Sequence, residues 1–174
     1  MLNDQTKLNS SRAPEPVGLY PHARRVDNLL FLSGVGPRER GTKKIPGVEL
    51  DEQGNVLSYD IEPQCHSVFK NVKAILEDAG SSWEKIVDVT VFLTNMKKDF
   101  ATYNKIYEEY FKDNQPCRTT VEVGSLPTPI AIELKVIATL NPEPLLRRMV
   151  SLSKSKRTVN KKTNRPFAKR RLRV

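Results

Sequence analysis

The chain is poor in the residues that build metal centres and disulfide frameworks. Its 174 residues include two cysteines and two histidines. Cys65 and Cys117 are too few for a disulfide framework, and together with His22 and His66 they show no metal-ligand spacing. We therefore expect free thiols in a reducing compartment and neither a structural nor a catalytic metal ion.

Long apolar runs are also missing. No stretch approaches the roughly 18 apolar residues that a membrane-spanning helix needs. The N-terminal residues lack the apolar segment of a secretory signal, and Asp4 argues against a transit peptide. These absences predict a cytoplasmic protein without a membrane span.

Several common catalytic signatures are absent as well. The sequence contains no phosphate-binding Gly-rich loop, no dinucleotide fingerprint and no nucleophile elbow. An activity that depends on any of these motifs is therefore not expected.

The net charge of +9 comes from the C-terminal end of the chain. Residues 145–174 contain twelve Lys or Arg and no Asp or Glu, so residues 1–144 hold 17 basic and 20 acidic side chains and carry a net charge of −3. The body therefore gives no reason to expect a nucleic-acid-binding surface. We interpret residues 141–174 as a disordered basic tail, either a functionless extension or a segment for polyanion binding or nuclear localisation. Nucleic-acid binding and a nuclear location are expected only through this tail.

Hydrophobic periodicity predicts one α+β domain in the body of the chain, after a polar N-terminal leader. The order is a strand pair, a helix ending before Gly80, a strand, a second helix capped by Asp99, and two strands. A single sheet with two helices on one face is the economical layered arrangement, and it leaves the other face for another subunit. The expected strands include residues 29–32, 86–93, 118–123 and 130–137, and residues 38–59 are expected to form a long loop with short extended pieces.

Arg118 and Glu133 are the charged residues that suggest chemistry. Arg118 opens a predicted strand after Pro116-Cys117, and Glu133 interrupts an otherwise apolar strand. One interpretation is a structural ion pair or a solvated strand face. The other is a guanidinium that binds a substrate carboxylate, beside a carboxylate that holds a water molecule, because the planar fork of Arg suits two parallel hydrogen bonds to a carboxylate.

A set of short motifs then resembles a known family. The pieces occur in one order over most of the predicted domain: Tyr20, Leu32-Ser33-Gly34, residues 71–76, Phe100-Ala101-Thr102-Tyr103-Asn104, residues 116–121 and Leu126-Pro127 followed by Ile132-Glu133-Leu134. Together they resemble the Rid family, the reactive intermediate (enamine/imine) deaminases, and the resemblance implies a deaminase domain over residues 14–140 after a flexible leader over residues 1–13. The resemblance implies a chorismate-mutase-like α+β fold and a homotrimer with a site in each cleft between subunits. The 2-aminomuconate deaminase branch is the most similar, through Tyr20-Pro21-His22, residues 47–52 and residues 92–96.

The resemblance also implies roles for five residues. Arg118 would pair with the substrate carboxylate, and Glu133 would orient or activate the attacking water. Tyr20 and Ser33 would line the pocket with their hydroxyls, and Asn104 is a further lining candidate. The alternatives are that Tyr20 packs, Ser33 ends a strand and Asn104 lies on a helix surface.

The implied activity is hydrolysis of an enamine or imine of a carboxylic acid to the oxo acid and ammonia. The leading substrate is 2-aminomuconate, from tryptophan or aromatic catabolism, and the runner-up activity is a general 2-iminobutanoate/2-iminopropanoate deaminase. No cofactor is implied, because an imine carbon is already electrophilic. Two alternative hypotheses assign a function of another class. In one the protein acts on RNA through the basic tail, and in the other it is a non-catalytic scaffold of the same family.

Overall fold

The computed structural model describes residues 6–42 and 44–140, and the predicted tail over residues 141–174 lies outside them. The described part contains eight strands, two α-helices and one short 3-10 turn. The elements in chain order are β1 (Lys7–Leu8), β2 (Ala23–Val26), β3 (Leu29–Leu32), β4 (Val48–Leu50), β5 (Val56–Tyr59), α1 (Ile61–Asp78), the 3-10 turn (Trp83–Lys85), β6 (Ile86–Leu93), α2 (Met96–Phe111), β7 (Cys117–Glu122) and β8 (Ile132–Thr139).

Six of the strands form one mixed sheet in the order β1-β2-β3-β8-β6-β7. Strands β6 and β7 run parallel, and the other neighbours are antiparallel. The remaining strands, β4 and β5, form a separate hairpin within the predicted 38–59 loop. The predicted α+β architecture, a sheet with two packed helices, is confirmed.

The core lies between the two helices and one face of the sheet. Alternate residues of the central strands are buried there, as the period of two requires: Leu30, Leu32, Val89, Val91, Leu93, Ile132, Leu134, Val136 and Ala138. Helix α1 contributes an apolar stripe that includes Val68, Val72 and Leu76. The alternating partners on the helix-free face, such as Phe31, Phe92 and Ile137, are only partly buried.

The prediction of a flexible leader over residues 1–13 is wrong for residues 6–13, the part of this segment that the structure describes. Strand β1 pairs with β2, and Ala13 is fully buried. Asp78 at the end of α1 accepts hydrogen bonds from Ser10 Oγ at 2.6 Å and Arg12 Nε at 2.8 Å. These long-range contacts fix a segment whose own composition suggested a loose chain.

The predicted cap of the second helix is also wrong. Helix α2 begins at Met96, and the Asn95 side chain accepts from Lys98 N at 2.9 Å. Asp99 is instead fully buried inside the helix, where its carboxylate accepts from the Tyr59 hydroxyl at 2.8 Å. Gly80 follows the Ala79 cap of α1 with a φ of 79°, as the sequence predicts for a helix end.

Candidate active site

Glu133 stands in a cleft on the helix-free side of the sheet. It belongs to β8, where it is paired with Phe92 of β6, and its neighbours Ile132 and Leu134 point into the core. Tyr20 and Ser33 lie in the same cleft, which has a volume of about 360 Å³. The structure therefore brings together three of the five predicted site residues. The wall is made by Val17, Tyr20, Ser33, Gly34, Gly36, Arg38, Pro127, Thr128, Ile130, Glu133 and Lys135.

The local environment changes the acidity of Glu133. Burial raises the pKa of its carboxyl group above the ordinary value, because the charged form loses hydration. A carboxyl group with a raised pKa, next to an open cleft, is suited to accept a proton from water and to return it.

The two hydroxyl residues differ in how firmly they are held. Ser33 Oγ donates to the Pro21 carbonyl at 2.6 Å, and Ser33 N donates to the His22 carbonyl at 2.9 Å. The Ser33 oxygen is therefore fixed in place and can still accept a hydrogen bond from a ligand. Tyr20 is 43% exposed, so its ring is available at the rim of the cleft.

His22, which the sequence left without an assigned role, is a structural residue. It is buried, and its Nδ1 accepts from Ser10 N at 3.1 Å. Since Nδ1 accepts, Nε2 carries the proton and donates to the Pro14 carbonyl at 2.8 Å. Both ring nitrogens are used to hold residues 10–14 against the sheet.

Arg118 lies outside the Glu133 cleft of its own chain. It is on β7, opposite Val89, whose side chain is in the core, and so its side chain points to the helix side of the sheet. There it faces α2, and its guanidinium carbon lies 4.6 Å from the centre of the Tyr107 ring. Arg118 and Glu133 therefore occupy opposite faces of the same sheet.

Helix α2 holds the exposed Arg118 side chain in one orientation. Asn104 Oδ1 accepts a hydrogen bond from Arg118 Nη1 at 2.9 Å. The rings of Tyr103 and Phe100 lie 5.8 and 5.9 Å from the guanidinium carbon, within the range of cation–π attraction. Asn104 thus lies beside Arg118, apart from Tyr20, Ser33 and the cleft they line.

Two cationic residues that line the Glu133 cleft were not predicted as site residues from the sequence. Lys135 follows Glu133 at the strand period of two, so the alternation of β8 could have identified it. Arg38 follows the Gly34-Val35-Gly36-Pro37 segment, and no local pattern placed it near Glu133. Its Nη2 donates to the Glu15 carbonyl at 2.7 Å.

Within residues 6–42 and 44–140, no group of three or more His, Cys, Asp or Glu side chains could hold a metal ion. Over the same ranges, neither helix is long and apolar enough to cross a membrane.

The comparisons with known proteins agree with the fold and with the resemblance. The model of the "Endoribonuclease L-PSP" family matches residues 10–140. A RutC family protein of Pyrococcus abyssi is 39% identical over 129 residues, which cover 74% of this chain and 92% of the relative. The chloroplastic Reactive Intermediate Deaminase A of Arabidopsis thaliana is 36% identical over 133 residues, 76% of this chain and 65% of the relative.

Solved structures match the same part of the chain. The crystal structure of YEO7 from yeast has a TM-score of 0.69 and 32% identity, and the match covers 78% of this chain and 98% of that one. The structure of E. coli TdcF with bound serine has a TM-score of 0.66 and 31% identity, with the same coverage of 78% and 98%. The chain therefore belongs to the L-PSP family, the family of the RutC and reactive intermediate deaminase proteins.

Proposed function

We propose that the protein is an imine/enamine deaminase acting on small carboxylates. The observation that carries the proposal is the pair of sites on the two faces of the sheet. One is a half-buried carboxyl group in a cleft, and the other is an exposed guanidinium held by Asn104 and three aromatic rings. The name of the Arabidopsis relative and the serine bound to TdcF support the chemistry, since serine carries a carboxylate and an amino group.

The proposal requires that two chains share each site. Arg118 and Glu133 cannot contact one substrate within a single chain, because the sheet separates them. A homotrimer that places Arg118 of the partner subunit at the mouth of the Glu133 cleft would complete the site. The partly apolar helix-free face, with Phe31 and Phe92, is suited to such packing.

The chemistry follows from these parts. The enamine first tautomerises to the imine. Arg118 would bind the substrate carboxylate and so orient the imine carbon. Glu133 would remove a proton from water as the water oxygen bonds to the carbon of the protonated imine, and the imine nitrogen would become a neutral amine. Return of that proton from Glu133 to the amine would break the C–N bond, the carbinol hydroxyl would lose its proton as the C=O bond forms, and ammonia and the oxo acid would be released.

The finer proposal for the substrate is 2-aminomuconate, in tryptophan or aromatic catabolism. Its support is the likeness of Tyr20-Pro21-His22, residues 47–52 and residues 92–96 to the 2-aminomuconate deaminase branch. The alternative of the same class is 2-iminobutanoate or 2-iminopropanoate.

Ammonia release from 2-aminomuconate and from 2-iminopropanoate, each generated in situ, tests the activity. Arg118→Ala should lower kcat/KM by about a hundredfold or more, since a desolvated charge pair contributes several kcal/mol. Glu133→Gln should keep ligand binding and slow hydrolysis. Unchanged turnover in Arg118→Ala would refute the assigned carboxylate anchor.

Mixing the two impaired variants tests whether subunits share the site. In trimers assembled at random from equal amounts of Arg118→Ala and Glu133→Gln chains, about a quarter of the shared sites have both native residues. Activity should therefore return to about a quarter of the native value. Sites contained in one chain would keep the low activity of the separate variants in every mixture.

A second candidate function rests on the charge of the C-terminal end. Residues 145–174 carry twelve basic side chains and no acidic ones, which suits binding to RNA or another polyanion. Removal of all residues after Leu140 should leave ammonia release and trimer formation unchanged and abolish RNA binding at low salt. A truncated chain that fails to assemble would contradict this division of the chain.

A further inference from the structure

The Glu133 cleft contains two cations that the proposed reaction does not use. Lys135 lies on the same face of β8 as Glu133, and its Nζ donates to the Leu32 carbonyl. Arg38 enters the wall from the loop after β3. The cleft therefore places two positive charges around one carboxyl group, which favours the entry of an anion.

Arg38 is anchored on one side and available on the other. One of its N–H groups donates to the Glu15 carbonyl, and the rest of its planar fork stays available for another acceptor. In the described part of the chain, no carboxylate forms an ion pair with Arg38 or Lys135. The next arginine, Arg40, differs, because it pairs with Glu15 at 2.9 Å.

The size of the cleft leaves room for more than the reacting end of a substrate. Its volume of about 360 Å³ falls in the range of pockets that bind drug-sized ligands. A three-carbon imino acid held by Arg118 of the partner subunit would leave the Arg38 end without a ligand. A longer substrate with a second carboxylate would extend to it.

We propose that Arg38, supported by Lys135, forms a second anion-binding subsite that makes the enzyme selective for dicarboxylates. The inference rests on the proposed function, in which Arg118 binds the carboxylate next to the imine carbon. Glu133 then acts between the two anchors, and the distal carboxylate is bound by the Arg38 fork. A bidentate, charge-assisted contact of this kind gives both strength and orientation.

Binding of two six-carbon acids by isothermal titration calorimetry tests the subsite without catalysis. Adipate and hexanoate differ in the second carboxylate, so their affinity ratio measures its recognition. We expect the native protein to bind adipate at least about tenfold more tightly than hexanoate. Arg38→Gln, which keeps a donor for the Glu15 carbonyl but loses the charge, should remove that preference.

Arg40→Gln is the matched control. Arg40 also donates to a backbone carbonyl of the same segment, that of Ala13 at 2.8 Å, and it is not part of the cleft wall. This variant should keep the preference for adipate. Equal losses in Arg38→Gln and Arg40→Gln would mean that both arginines only hold the N-terminal segment, and the subsite would be refuted. No measurable adipate binding, or equal binding of the two acids by the native protein, would also refute it.

Measurements of kcat/KM distinguish a failure of the anion subsite from a failure of the proposed deaminase activity. Arg38→Gln should lower the ratio of kcat/KM for 2-aminomuconate to that for 2-iminobutanoate by about tenfold. A native enzyme that hydrolyses both substrates, with the same ratio in Arg38→Gln, would refute the subsite alone. A native protein that prefers adipate but releases ammonia from neither substrate would refute the deaminase and leave the anion subsite standing.

Discussion

Gly34 lies directly against the carboxyl group of Glu133, so closely that a Cβ at position 34 would stand 2.8 Å from Glu133 Cδ. The conformation of Gly34 is not the reason for glycine here, because its φ is outside the left-handed region. Space is the reason, since a Cβ at this position would overlap the carboxyl group of Glu133, which would have to move.

We therefore expect Gly34→Ala to lower kcat by about ten- to a hundredfold, because a small displacement of a proton-transfer group is costly. The change is measured as ammonia release at saturating substrate, with the proposed trimer checked by light scattering. Gly124→Ala is the control, since a Cβ there would meet no heavy atom within 4 Å. Equal activities in the two variants would show that Glu133 can shift without loss.

Asn104 is expected to act as a positioning residue through its hydrogen bond to Arg118. Asn104→Ala should raise KM by about tenfold or more with a smaller change in kcat, since a hydrogen bond to a charged group contributes about 1.5 kcal/mol or more. Lys105→Ala, at the next exposed position of α2, is the control and should leave both constants unchanged. A fall in kcat with an unchanged KM would place Asn104 in the chemical step.

The sequence predicted correctly those elements of the fold whose formation depends on neighbouring residues in the chain. Strand β6 was predicted at residues 86–93 and is found there, because its β-branched residues alternate between the core and the other face. Asp99 was misassigned because its partner, the Tyr59 hydroxyl, lies 40 residues away in the chain. The sequence alone does not distinguish an N-cap residue from a buried polar residue near the start of a helix, because the distinction depends on that distant partner.

The candidate site was likewise predicted only in part from the sequence. The sequence singled out Arg118 and Glu133 by residue type and position, but it could not show that they lie on opposite faces. That separation follows from the pairing of β7 with Val89 and of β8 with Phe92, and a pairing register is a long-range property. Arg38 was missed for a related reason, since it reaches the cleft from a loop without periodic structure.

The N-terminal segment should contribute to stability in a pH-dependent way. Hydrogen bonds from Ser10 and Arg12 lower the pKa of Asp78 from 3.8 to about 2. A carboxyl group with a lowered pKa in the folded state stabilises the protein above its unfolded pKa, and that contribution is lost as the pH falls from 3.8 towards 2.

Asp78→Asn should accordingly lower the Tm at neutral pH by about 3 °C, and the difference from the native protein should shrink below pH 4. Differential scanning calorimetry at several pH values measures both effects. Asp113→Asn, at an exposed position beyond α2, is the control and should leave the Tm unchanged. A Tm difference that is constant with pH would contradict the role of the Asp78 charge.

Glu133 should show the opposite dependence, because burial raises its pKa above the ordinary value of 4.5. The folded state then holds this proton more tightly than the unfolded state, so stability falls as the pH rises from 4.5 through the folded pKa. The ionised form that the proposed reaction needs is therefore the form that burial disfavours. Glu133→Gln should raise the Tm at neutral pH, and the gain should disappear at pH values below 4.5.

The same group should control the pH profile of turnover. A general base must be ionised, so kcat should fall on the acidic side with an apparent pKa above 4.5. The residual activity of Glu133→Gln should lack this acidic limb. Glu108→Gln, on the exposed surface of α2, should keep the native profile and the native Tm. A Glu133→Gln enzyme that retains the acidic limb would assign the titration to another group, and Glu133 would then hold the water without taking its proton.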